Sequence, residues 1–147
     1  MWREAYLETR VLSADPMELV CLLYQHSIDA VREARRRLAA RDIAGRGQSI
    51  SKAIGILGEL TVSLDHGAGG ELSRNLERLY AYMIQRLTEA NLRQQDGLLA
   101  EVESLLATLA DAWHQAREKQ MAQPPLTPPI PAFQEAQSEY AAHGWNG

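Results

Sequence analysis

The stretch Leu76-Glu-Arg-Leu-Tyr-Ala-Tyr-Met-Ile-Gln-Arg-Leu-Thr-Glu-Ala-Asn91 decides the fold. Plotted at about 100° per residue, Leu72, Leu76, Leu79, Met83, Leu87 and Ala90 fall along one line of a helix. Tyr80, Ile84 and Asn91 form a second ridge, roughly 50 to 90° round from that line. The apolar arc is wider than one packing face requires. Either the second ridge packs on another helix of the same chain, or it stays open as a groove for a further segment.

Outward from this helix the same period recurs. Upstream, Asp15 or Ser13 can cap a helix start, Pro16 suits the first helical position, and Glu18 meets the positive end of the dipole. A first helix follows over 16–40, with Met17, Val20, Tyr24, Ser27, Ile28, Val31, Ala34 and Leu38 at spacings of three and four, widened by Leu19 and Leu23. Residues 41–47 read as a turn. A second helix runs to about Asp65 with Ile50, Ala53, Ile54, Leu57, Leu60, Thr61 and Leu64 on its core face. Ile56 and Val62 fall off that face, and Gly55 and Gly58 mark either a close approach of another backbone or tolerated variation. The glycine-rich residues 66–70 break the chain. The third helix spans 71–94, and Gln95, Asp96 and Gly97 make a tight turn with Asp96 as a cap. The fourth spans 97–121 with Leu98, Val102, Leu105, Leu106, Leu109, Ala112, Trp113 and Ala116 as its stripe. No segment alternates as a strand. Helices of roughly 35 Å joined by short connections predict an all-α, antiparallel four-helix bundle over 16–121. Residues 1–15 form an N-terminal arm. Residues 122–147, which hold five of the six prolines, form a disordered tail.

Composition narrows the function. A chain of 147 residues with 46% hydrophobic content suits one domain with a real core. A net charge of −4 argues against nucleic acid. No apolar run reaches the roughly 18 residues of a membrane span. The first ten residues interleave charges with apolar groups and do not read as a secretory signal, so the expected location is the cytosol. The lone Cys21 reads as a buried thiol in a reducing compartment.

Catalytic and metal chemistry finds little footing. None of His26, His66, His114 and His143 completes a Glu-x-x-His pair, and Asp111-Ala-Trp-His114 stands alone as a near match. Cys21 and His26 are five apart, which suits neither a ligand pair nor a dyad. Phosphate-binding glycine loops and nucleophile elbows are missing from the sequence. A non-enzymatic binding protein without metal or cofactor is expected. Arg32, Arg35, Arg36, Arg37, Arg41 and Arg46 offer either a dipole-matched helix end or a patch for an acidic partner.

The order of motifs resembles the flagellin export chaperones of the flagellar protein FliS family. The matching pieces are Tyr6 in the arm, then Pro16-Met-Glu-Leu19 and Leu22-Leu-Tyr24. They continue with Lys52-Ala-Ile54-Gly-Ile56-Leu-Gly-Glu59-Leu60, and with Asn75-Leu76-Glu-Arg-Leu79-Tyr80-Ala-Tyr82-Met83. Arg86-Leu87, Ala90-Asn91 and Asp111-Ala-Trp113 complete the set. The likeness spans about 5–118. It implies a small antiparallel bundle that binds the C-terminal segment of new flagellin in the cytoplasm. Such a bundle prevents premature polymerisation and presents the subunit to the type III export apparatus, with export-gate components as further partners. Ile54, Ile56, Leu57, Leu60, Tyr80, Met83, Ile84, Leu87 and Asn91 are the expected flagellin groove. Tyr6 and Leu7 are the expected lid, and a monomer or weak homodimer is the expected state. His26 departs from a glycine common in the family. The competing function is a helical adaptor that binds an acidic partner through the arginine cluster.

Overall fold

The structure, a computed structural model, describes residues 15–122, which form four helices and no strand. Helix α1 spans Pro16–Ala39, α2 Ile43–Val62, α3 His66–Arg93 and α4 Asp96–Ala122. Asp15 caps α1 by accepting the Met17 N–H at 3.0 Å. Asp42 caps α2 by accepting the Gly45 N–H at 2.9 Å, so the first connection is shorter than the expected turn over 41–47. Gly45 is required there, because a Cβ would lie 2.3 Å from an Asp42 carboxylate oxygen.

The flat break expected over 66–70 is also corrected. Asp65 accepts the N–H groups of Gly67 and Ala68 and starts one helical turn. Only then does Gly70 interrupt α3, at φ 54° and ψ −124°. Downstream, α3 closes on Gln94 in the left-handed region.

Cross-links fix the antiparallel order. Helix α2 packs on α1 and α3. The Tyr82 hydroxyl of α3 donates to Glu101 of α4 at 2.8 Å. Arg35, late in α1, clamps Asp96 at the start of α4, and Arg117, late in α4, reaches Asp15 at the start of α1. The core is filled by Tyr24, Val31, Ile56, Leu57, Leu60, Tyr80, Met83, Leu87, Leu99, Val102 and Leu106. Leu99 and Ala110 supply more of α4's buried face than Ala112 and Ala116, which are exposed. The described residues divide after Arg117, and of the second unit only the exposed end of α4, 118–122, is described.

Arg46 is 4% exposed and faces no carboxylate among its hydrogen-bond partners. Its guanidinium donates to the Asn91 amide oxygen at 2.9 Å and to the Asn91 carbonyl at 3.3 Å. The negative end of the α3 dipole is thus its counter-charge. Arg46→Ala removes charge-assisted bonds that join two helices. It is expected to lower unfolding free energy by about 1.5–3 kcal/mol, read as a lower urea midpoint.

Candidate functional site

The expected groove falls apart into three groups. Ile56, Leu57, Leu60, Tyr80, Met83 and Leu87 are buried in the core, as the stripe positions of Leu57, Leu60, Met83 and Leu87 imply, and the reading of Tyr80 and Ile56 as spare apolar surface is corrected. The reason is the opposing helix. The Tyr80 hydroxyl bonds the Tyr24 hydroxyl across the core, and Tyr24 accepts the Trp113 indole N–H at 3.2 Å. Three helices are thereby tied at one level, and burial pushes both phenols above their ordinary pKa. Asn91 is engaged by Arg46. Only Ile54 and Ile84 remain half-buried at the edge of the core. The antiparallel register that joins Arg46 to Asn91 sets them at the same level of the α2/α3 pair. Tyr6 and Leu7 lie outside the described residues.

A concave apolar site lies at the end of the bundle where α1 begins and α2 turns into α3, and of the expected groove residues it keeps Leu60 and Tyr80 in its lining. Its volume is about 200 Å³. Val20, Leu60, Leu64, Leu72, Leu76, Tyr80 and Trp113 form its apolar lining, with Ser63, Asp65, Gly69 and Ser73 beside them. An apolar cavity of about 150 Å³ already holds a benzene ring, so this one accepts an aromatic or branched side chain. Leu72 is 61% exposed although its period puts it on the core line. It lies one turn before Leu76, where the bundle's packed layers end. Val62, next to the lining residue Ser63, is 83% exposed.

The sequence named most of these residues as apolar but not their convergence. Four helix segments meet here, and no single helical wheel reports that. Glycines 69 and 70, two residues before a leucine at the start of the stripe, were the available signal. Gly58 presents open space rather than a close backbone contact.

The arginine cluster is largely neutralised from within. Arg35 bonds Asp96 and Glu103, Arg32 bonds Glu103, and Arg36 and Arg37 both bond Glu33. Arg37 also bonds Asp42, and Arg46 is buried. This disfavours a patch for an acidic partner.

The same pairs set an acid limit. Arg117 lowers the Asp15 pKa, Arg36 and Arg37 that of Glu33, the Gly45 N–H that of Asp42, and Arg35 that of Asp96. A carboxyl whose folded pKa is depressed contributes stability above its unfolded value, near 4, and loses it as pH falls through the folded value. The urea midpoint is therefore expected to stay level near neutrality and to drop below about pH 4. Among the described residues no helix is long and apolar enough to cross a membrane, and no three metal-ligating side chains cluster.

Comparison with known proteins supplies the lineage. The family model described as flagellar protein FliS matches residues 2–120. The flagellar secretion chaperone FliS of Salmonella typhimurium is 40% identical over 119 residues, covering 80% of this chain and 88% of that protein. The flagellar secretion chaperone FliSB of Pseudomonas aeruginosa is 41% identical over 112 residues, 76% of this chain and 89% of its own. The Bacillus subtilis FliS is 35% identical over 112 residues, 76% of this chain and 83% of its own. The family model spans α1, α2, α3, all but the last residues of α4 and every pocket-lining residue, and on that footing the chain belongs to the flagellar protein FliS family.

Proposed function

We propose that this protein is a flagellar export chaperone that holds the C-terminal segment of unpolymerised flagellin in the cytosol. The observation that carries the proposal is the apolar pocket at the bundle end, with Leu72 exposed on its wall. A disordered client that orders on a bundle needs apolar anchor points, and binding concentrates its energy in a few buried contacts. The pocket supplies one anchor, and the half-buried pair Ile54 and Ile84 supplies a second contact along α2 and α3. Val20 on the wall is five residues from Asp15, where the N-terminal arm joins α1. In the same reading Tyr6 and Leu7 of that arm compete with the client for the pocket, and the loaded complex is passed to export-gate components.

Titration of the full-length chain with a peptide of the organism's flagellin C-terminal segment tests this. Expected is binding at micromolar concentration or tighter that changes little with salt, since apolar burial carries it. No binding at that concentration, or binding that weakens steeply with ionic strength, contradicts it.

A further inference from the structure

One wall of the pocket is built on glycine. Gly67, Gly69 and Gly70 lie within residues 65–70, and Asp65 and Gly69 line the pocket. Gly70 adopts φ 54° and ψ −124°, a backbone state that side chains resist. The turn before it closes on itself, the Gly69 N–H donating to the Asp65 carbonyl at 2.7 Å. Two side-chain contacts join it to the body of α3. The Ser73 hydroxyl donates to the Asp65 carbonyl at 3.0 Å, and His66 Nε2 faces a Glu77 carboxylate oxygen at 3.1 Å. The second tie is exposed and contributes little. The first is made by a buried side chain. Gly69 is fitted to it, since a Cβ there would lie 1.9 Å from the Ser73 hydroxyl oxygen.

We propose that residues 65–70 are a hinged flap of the pocket, pivoting at Gly70 and latched by the Ser73 hydroxyl, that swings aside to admit an apolar client side chain. The proposal rests on the reading that this pocket takes a client. A latch of one hydrogen bond and one exposed ion pair opens far more readily than the bundle unfolds. The hinge is a local φ/ψ change at a residue that tolerates it.

Hydrogen exchange of the full-length chain tests the flap without a client. In Ser73→Ala, amides of 67–72 are expected to exchange about five-fold faster and with little dependence on urea, while the urea midpoint falls only by the worth of that one bond. Gly69→Ala is expected to do the same, because its Cβ displaces the Ser73 hydroxyl. Wild-type amides of 67–70 exchanging as slowly as those of 80–90 overturn the flap. So does exchange of 67–72 that rises with urea as steeply as that of 80–90 in either variant. Adding the flagellin C-terminal peptide is expected to protect 67–72. Binding without that protection sinks the flap and leaves the chaperone reading standing. If the peptide does not bind, the chaperone reading fails and exchange in the free protein still decides the flap.

Discussion

Tyr80→Asp abolishes the folded bundle. Tyr80 is 1% exposed, so the substitution removes a large buried ring and leaves a carboxylate in its place. Loss of a comparable aromatic side chain to alanine costs about 3–5 kcal/mol, and a domain of this size has about 5–15 kcal/mol in total. An unpaired buried charge adds to that cost. The loss also removes the bond to Tyr24, which sits between Tyr80 and the Trp113 indole. Far-UV circular dichroism is expected to show lost helicity and no cooperative urea transition at neutral pH. Tyr80→Phe keeps the ring and is expected to cost about 1–3 kcal/mol, the cost of an incompletely satisfied polar partner. Wild-type helicity and midpoint in Tyr80→Asp would place this side chain on open surface and contradict the packing described above.

Leu72→Asp does the opposite. Leu72 is on the pocket wall and mostly exposed, so a charge there leaves the bundle's stability within about 0.5 kcal/mol. The same charge faces an incoming apolar anchor, where single central contacts are worth about 2 kcal/mol or more, about 30-fold in affinity. Calorimetric titration with the flagellin C-terminal peptide is expected to show that loss beside an unchanged urea midpoint. Ile84→Asp, at the half-buried edge, is expected to weaken binding as well, with some cost in stability from its packing on the core. Equal affinities for wild type and Leu72→Asp would remove the pocket from the client path. The pair of variants separates two residues eight apart on one helix: Tyr80, buried in the core, and Leu72, exposed on the pocket wall.

That separation shows what periodicity could and could not convey. The stripes through Tyr24, Leu57, Met83, Leu87, Val102 and Leu106 predicted the four helices and their packing, because burial at spacings of three and four is a local property. The cap at Asp15, offered beside Ser13, and a stop within one residue of the observed Arg93 were legible for the same reason. Tyr80 was assigned to a shoulder because a wheel gives only an angle. Whether a shoulder is covered depends on the neighbour, and here the Tyr24 hydroxyl reaches it from α1. Ile56, off the nominal face of α2, is sealed in the same way. The glycine run at 66–70 was read as a break, whereas the Asp65 carboxylate makes a helical turn of it and leaves the interruption to Gly70 alone. The pocket itself depends on where four segments end in space, which no one of them encodes. The client proposed above follows from the family likeness, and the contact surface proposed for it lies at the bundle end rather than along the middle of α3.

Trp113 reports on the pocket directly, since it lines the cavity. In a Trp2→Phe/Trp145→Phe chain it is the sole indole left of three. Adding the flagellin C-terminal peptide is expected to shift Trp113 emission to shorter wavelength and to shield it from acrylamide, as an apolar side chain fills the space beside it. Calorimetric binding with Trp113 emission and acrylamide access unchanged would contradict a client anchored in this pocket.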